Sequence, residues 1–200
     1  MKPRIPAAAT ASRPAPSPAR RQRLLEAAER LFSRVGYRAV TIAAIATEAG
    51  FAKATVYAYF ADKDDLFRAV GEALAARLVS AVESGLAGAG TTAQKIAAAL
   101  AAKDGIILSL ILSSPHAGEL FEARDRLVRG AFDAADATIL VLIEVALDDG
   151  VQRDAAPAQL ARVLVRASRG LAARVTDVAA MRADIDYLVT HLIDAARVRG

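Results

Sequence analysis

The strongest constraint on this chain is the spacing of its apolar side chains, which recur three and four positions apart and seldom alternate with polar ones. Leu24, Leu25, Ala28, Leu31, Phe32 and Val35 share one helical face, and so do Leu66, Phe67, Val70, Leu74, Leu78 and Val82. β-branched residues are scattered singly among many alanines, and alanine loses no side-chain entropy in a helix. The pattern predicts an all-α protein. At 200 residues it is long enough to bury several helix faces without covalent staples.

The punctuation divides the chain. Residues 1–19 carry five prolines and little apolar bulk, which predicts a flexible basic arm. A first helix is expected from about Arg20 to Val35, ended by Gly36. Thr41 is placed to cap a second helix with the apolar face Ile42, Ile45 and Ala49, stopped by Gly50. A third short helix is expected over about Ala54 to Phe60. Asp62, with Asp65 three positions on, is expected to cap a long fourth helix. The glycines from Gly85 to Gly90 read as the best domain boundary. Beyond them Thr91 and Gln94 form a second capping-box pattern. Helices are expected at about 92–112, 116–129, 131–148, 157–175 and 182–197, with breaks at Ser113–Pro115 and from Asp148 to Gly150. The expected organisation is thus an arm over 1–19, a first domain over 20–80 with a short helix pair at about 41–60, and a helical bundle over 81–200.

Charge follows the same division. Residues 1–70 have a net charge of +6 and residues 71–200 a net charge of −2, which points to a polyanion partner for the first part. The chain has no cysteine, which excludes disulfides and thiolate metal sites and suits a reducing cytoplasm. His116 and His191 are the only histidines and fall in different expected helices, so no metal site is predicted. There is no Gly-rich phosphate loop or nucleophile elbow, so neither an enzyme nor a cofactor is expected. The apolar run Ile106 to Leu112 is too short to span a bilayer, and the N-terminus lacks the pattern of a signal peptide.

Two brief helices hinged at Gly50-Phe51-Ala52-Lys53 have helix-turn-helix proportions, in which the second helix enters the major groove. Around the hinge stand Arg38, Thr41, Lys53, Thr55, Tyr57, Tyr59 and Lys63, hydroxyls and cations of the kind that bond phosphate oxygens. The string Phe32-Ser-Arg-Val-Gly36-Tyr37-Arg-Ala-Val-Thr41-Ile42-Ala-Ala-Ile45-Ala46-Thr-Glu-Ala49-Gly50-Phe51, with Lys53-Ala-Thr55-Val56-Tyr57-Ala-Tyr59-Phe60-Ala-Asp-Lys63-Asp-Asp-Leu66 after it, resembles the TetR family signature. The resemblance covers roughly Arg20 to Leu78.

It implies a regulator that binds an operator as a homodimer. Thr41 would cap the second helix and touch a phosphate, and Thr55 and Tyr57 would lie on the recognition helix. Tyr57, Tyr59 and Lys63 would reach phosphates, and Lys53 a base or a phosphate. Ala52, Ala54 and Ala58 depart from the family's usual residues, which shifts recognition toward phosphates, thymine methyls and DNA shape.

For the C-terminal part the resemblance implies effector binding and pairing through the last two helices. The run from Ile106 to Leu112, apolar nearly all round, predicts an enclosed helix that can line a pocket. Lys103, Asp104, Ser109, Ser113, His116, Arg126, Asp133 and Glu144 are candidate polar lining. Leu160, Val163, Leu164, Ala167 and Leu171, then Ile185, Leu188, Leu192 and Ala195, form the apolar stripes of the last two helices. The expected function is a ligand-responsive repressor released by a small apolar or amphipathic effector. The alternative is a helical dimeric interaction or small-molecule-binding module without specific DNA binding.

Overall fold

The computed structural model describes residues 17–148 and 156–197, so the expected arm lies outside it except at residues 17–19, as does most of the expected break from Asp148 to Gly150. Every regular element among the described residues is an α-helix: α1 Pro18–Ala39, α2 Ile42–Ala49, α3 Lys53–Val56, α4 Lys63–Leu86, α5 Thr92–Ser113, α6 Ala117–Leu127, α7 Arg129–Asp148, α8 Pro157–Ala172 and α9 Val178–Arg197.

The caps follow the sequence closely. Thr41 Oγ1 accepts from Ala44 N–H at 3.1 Å, and both arms of the Thr91/Gln94 capping box form. Asp62 accepts from Asp65 N–H at 2.7 Å, while the returning Asp65 carboxylate reaches one residue further, to Ala61 N–H at 3.0 Å. Each cap satisfies helix-terminal amides that have no partner within the helix.

Two apolar cores result. The first joins Leu24, Ala28 and Phe32 of α1 to Ile45 and Ala49 of α2, Val56, Phe60, and Leu66 and Phe67 of α4; Ala123 of α6 and Val128 close it. The second joins Leu78 and Val82 of α4 to α5, α7, α8 and α9. Helix α4 therefore runs from one core into the other, and its side chains change cores between Ala69 and Leu78, just short of the expected boundary.

Four local expectations need correction. Helix α1 starts at Pro18 and reaches Ala39, with a break at Gly36 (φ +80°). Past that break Tyr37 turns into the core, and Val35 is left 37 % exposed. The Gly85–Gly90 stretch, exposed from Ala87 on, is the turn between α4 and α5, which both pack into the second core. A Cβ at Gly85 would stand 2.6 Å from the Ala99 nitrogen, so the glycine is what lets α4 and α5 approach. The enclosed part of α5 is Ile96 to Gly105 apart from the exposed Ala98; of the expected run Leu108 is buried, Ile106, Ile107, Leu110 and Ile111 are half-buried, and Leu112 is exposed. On α8 and α9 the core faces are Ala161, Leu164, Val165 and Ala172, and Met181, Ile185, Val189 and Ile193. Of the expected stripes, Leu164 and Ile185 are core and Leu160, Leu171 and Leu192 pack against it, while Ala167 and Leu188 are half-buried and Val163 is exposed.

The 22-residue helix α5 contains an 18-residue window with a mean hydropathy of 1.8 and is long and apolar enough to cross a bilayer by length and composition, although its apolar run Ile106–Leu112 is not. Half of it is buried among the other helices, and it carries the Lys103–Asp104 ion pair at its centre.

Gly85→Ala is expected to cost about 1–3 kcal/mol by forcing α4 and α5 apart, a fall in Tm of several degrees. An unchanged Tm in a thermal melt would contradict the close approach assigned to Gly85.

Candidate nucleic-acid interface

The turn between α2 and α3 is set by Gly50. Its left-handed conformation (φ +73°) lets its N–H reach the carbonyls of Ala46 and Thr47 and end α2. Phe51 N–H then bonds the Ala46 carbonyl at 2.8 Å. Ala52 stands at the N-cap of α3 with no side chain to cap it, and α3 proper is only four residues. Hydrogen-bonded turns carry the chain on to Phe60, through Tyr59 N–H to Val56 O at 2.9 Å and Phe60 N–H to Val56 O at 3.0 Å. The expected helix over 54–60 is thus a short helix followed by turns, without the extra bond that a hydroxyl at position 52 would supply.

Buried side chains hold the pair rigid. Ile45 and Val56 are fully enclosed, and Phe60 is nearly so. Arg23 of α1 donates to the Ala49 carbonyl at 3.0 Å and lies over the Phe51 ring, placing a cation at the negative end of α2. Arg30 and Arg34 bond the Glu48 carboxylate at 3.1 and 3.4 Å, tying α1 to α2 a second time. These two guanidinium groups, Arg30 foremost, hold the Glu48 carboxyl below its ordinary value of 4.5. Arg23, Arg30 and Arg34 were not among the expected site residues. Their role depends on which helix α1 packs against, which spacing along one helix does not reveal.

The expected DNA-contacting residues fall into two groups. Thr41, Lys53 and Tyr57 are exposed on the outer side of the α2–α3 pair, with Lys53 Nζ 5.7 Å from the Tyr57 ring centre. Thr55 lies half-buried beside them. Ala43, Ala44, Thr47, Ala54 and Ala58 share the exposure and offer methyls and one hydroxyl.

The second group is engaged within the protein. The Tyr59 hydroxyl accepts from Ser17 N–H at 2.6 Å, anchoring the start of α1, and keeps its own proton to donate. Lys63 Nζ donates to the Tyr37 carbonyl at 2.9 Å and to that of Arg38 at 3.3 Å, closing the end of α1. Arg38 turns to α6: its N–H bonds Glu119, and its guanidinium bonds Glu122 at 3.1 Å.

Arg38 belongs to a joint between the two cores. The Tyr37 ring packs edge-on against Phe67 at 5.0 Å, and its hydroxyl donates to Asp64. Burial, and then the Asp64 hydrogen bond, push the Tyr37 hydroxyl above its ordinary value. Arg126 of α6 pairs with Asp64 at 3.5 Å and lies over the same ring. A Cβ at Gly36 would meet Glu119 at 2.5 Å and His116 at 3.1 Å, so the glycine leaves room for α6. Ser114 Oγ donates to the Ser33 carbonyl at 2.8 Å and completes the contact.

Behind the joint lies a cavity of about 110 Å³ among Phe67, Val70, Leu74, Ile111 and Phe121, almost wholly apolar. It shares Ile107, Ile111, Phe121, Arg124 and Phe132 with a second chamber of about 440 Å³, which Lys103, Asp104 and Asp133 also line. Of the other expected pocket residues, Ser109 is exposed, Ser113 faces an outer groove, His116 and Arg126 lie at the joint, and Glu144 is half-buried outside these chambers.

A short helix pair with outward cations and hydroxyls, packed on a longer helix, defines a helix-turn-helix DNA-binding domain. Residues 24–70 match the sequence profile of bacterial regulatory proteins of the tetR family. A stretch of 68 residues, 34 % of the chain, is 37 % identical to the HTH-type transcriptional repressor AcnR of Corynebacterium diphtheriae and spans 36 % of that protein. The whole fold is similar to that of the fatty acid degradation regulator FadR from Bacillus halodurans, with a TM-score of 0.68 at 17 % identity over 88 % of this chain and 96 % of that one. It is likewise similar to FadR from Bacillus subtilis, solved in complex with stearoyl-CoA, with a TM-score of 0.61 at 17 % identity over 84 % of this chain and 96 % of that one.

Because a depressed carboxyl favours the folded state above its unfolded value, the Glu48 clamp is expected to hold above pH 4.5 and to weaken as pH falls below it. An NMR titration should place the Glu48 midpoint below 4.5, and the double change Arg30→Gln with Arg34→Gln should raise it. A midpoint unmoved by that change would contradict the clamp.

Proposed function

We propose that the protein is a DNA-binding transcription regulator, a cytoplasmic dimer that represses by occupying an operator and lets go when a small apolar or amphipathic effector binds. The observation that carries this reading is the outward placement of Thr41, Lys53 and Tyr57 on a helix pair locked from behind by Ile45, Val56 and Phe60. Such a face gives phosphate contacts with little rearrangement. The exposed methyls at Ala43, Ala44, Ala54 and Ala58 suit close approach to a groove.

Pairing is supported by apolar side chains left at the surface of α8 and α9, with Val163 44 % and Tyr187 67 % exposed and Leu188 half-buried. A second copy packed there would cover them and present two recognition helices about one DNA turn apart, ~34 Å. Effector response is supported by the chambers, since a structure of similar fold carries stearoyl-CoA. Helix α6 lies between the chambers and the DNA-binding domain: Phe121 and Arg124 line the cavity, while Glu119 and Glu122 hold Arg38. A ligand that favours one seating of α6 would thereby favour one seating of α1, and coupling between two sites has this form.

The second reading, a helical dimeric module without specific DNA binding, draws on the alanines at 52, 54 and 58, which remove polar groups from the recognition turn. Fluorescence anisotropy on duplexes enriched from a random pool separates the two. Specific binding that weakens steeply with salt is expected, because phosphate contacts release counterions. Lys53→Ala should weaken binding to all sequences and lower the salt slope by about 1. Tyr57→Ala should cost about 1 kcal/mol. A pool that does not enrich, or an affinity indifferent to salt and to both changes, would favour the second reading.

A further inference from the structure

The net charge of the N-terminal part does not lie on the helix pair. Residues 24–70, the stretch that matches the tetR profile, hold six Lys/Arg and six Asp/Glu, whereas residues 1–23 hold six Lys/Arg and no acid. Most cations of 24–70 are committed within the protein. Arg30 and Arg34 pair with Glu48, Arg38 with Glu122 and Arg68 with Asp65, and Lys63 bonds two backbone carbonyls. Of the six, that leaves Lys53, exposed beside the Tyr57 ring. One lysine neutralises about one phosphate, whereas tight DNA binding draws on about 6–10.

The structure fixes where the remaining charge enters. Ser17 N–H donates to the Tyr59 hydroxyl at 2.6 Å, and the Arg21 guanidinium lies 5.5 Å from the centre of the Phe60 ring. The chain that precedes α1 therefore leaves the domain beside the recognition turn. Arg20 and Arg21 stand at that exit, outside the ion pairs of the described residues. Lys2, Arg4 and Arg13 precede it in sequence, and prolines at 14, 16 and 18 oppose a helix running back from it. A minor groove, about 6 Å wide, excludes a helix but admits an extended arm, and over A·T pairs its negative potential attracts arginine. Sixteen residues span up to about 50 Å. The half-turn of duplex from a major groove to the next minor groove is about 17 Å, well within that reach.

We propose that the segment before Ser17 lies in the minor groove beside the major groove that α3 enters, with Lys2, Arg4 and Arg13 in the groove and Arg20 and Arg21 at its mouth. The first 21 residues then supply more of the electrostatic affinity than the helix pair does, and they read A·T pairs flanking the site. This rests on the proposed binding of DNA and adds to it a second groove and the residues that occupy it.

The test measures the anisotropy of enriched duplexes whose flanking pairs are changed to inosine·cytosine or to G·C, with the full chain. These two pairs differ only in the guanine 2-amino group, which lies in the minor groove. The unaltered chain is expected to bind the inosine flank about fivefold or more tightly than the G·C flank. The triple change Lys2→Gln, Arg4→Gln and Arg13→Gln should bring that ratio to about one, and should lower the salt slope about three times as much as Lys53→Ala does. Lys53→Ala should leave the ratio as it is. Equal affinity of the unaltered chain for the two flanks, or a salt slope that the triple change leaves unmoved, would overturn this inference and leave the proposed function standing. The flank comparison needs no variant, so it does not depend on how the triple variant folds. A chain that binds no duplex would overturn both.

Discussion

Tyr37 is the side chain on which the arrangement of the two cores depends. It lies just past the break at Gly36, its ring stands edge-on to Phe67 and stacked on Phe32, and its hydroxyl bonds Asp64 at the start of α4. Lys63 from α4 and Arg126 from α6 bring cations to the same ring. One residue thereby ties α1, α4 and α6 together. Aromatic burial supplies most of the attachment, and the surrounding charges give it direction. Without the break at Gly36, α1 would run straight on, Tyr37 would leave the core, and Glu119 and Glu122 of α6 would lose their seat against Arg38.

That joint gives physical content to a link between chamber and DNA. Its polar contacts are exposed ion pairs and single hydrogen bonds, each worth little by itself. Contacts of that strength can be exchanged for others at small cost, whereas the packing of Ile45 and Val56 behind the recognition turn cannot. The molecule thus combines a rigid reading head with a joint that can be reseated.

Much of this was legible in the sequence, and the limits have physical causes. Thr41, Asp62 and Thr91 could be read as caps because a cap depends on residues three positions apart. Gly50 could be read as a turn because its neighbours Ile45, Ala49 and Phe51 frame it locally. Lys63 and Arg38 carry charge and flank the motif, yet the structure commits both to carbonyls and carboxylates of the protein itself, partners up to 84 residues away in sequence. The two-sided apolar character of α8 and α9 misled in the other direction. Leu188 lies on the same helix as Val189 and Ile193, and periodicity does not say which of these faces meets the core. Gly85 shows the same ambiguity, since a glycine signals a loop and a close helix contact equally well.

The central claim is that two copies of the α2–α3 pair read one face of a duplex. Hydroxyl-radical footprinting on a selected duplex tests it most directly. The account predicts two symmetric protected patches with centres about 10 base pairs apart, or a multiple of that, on the same face of the helix. A single unpaired patch, or protection spread evenly around the duplex, would contradict it.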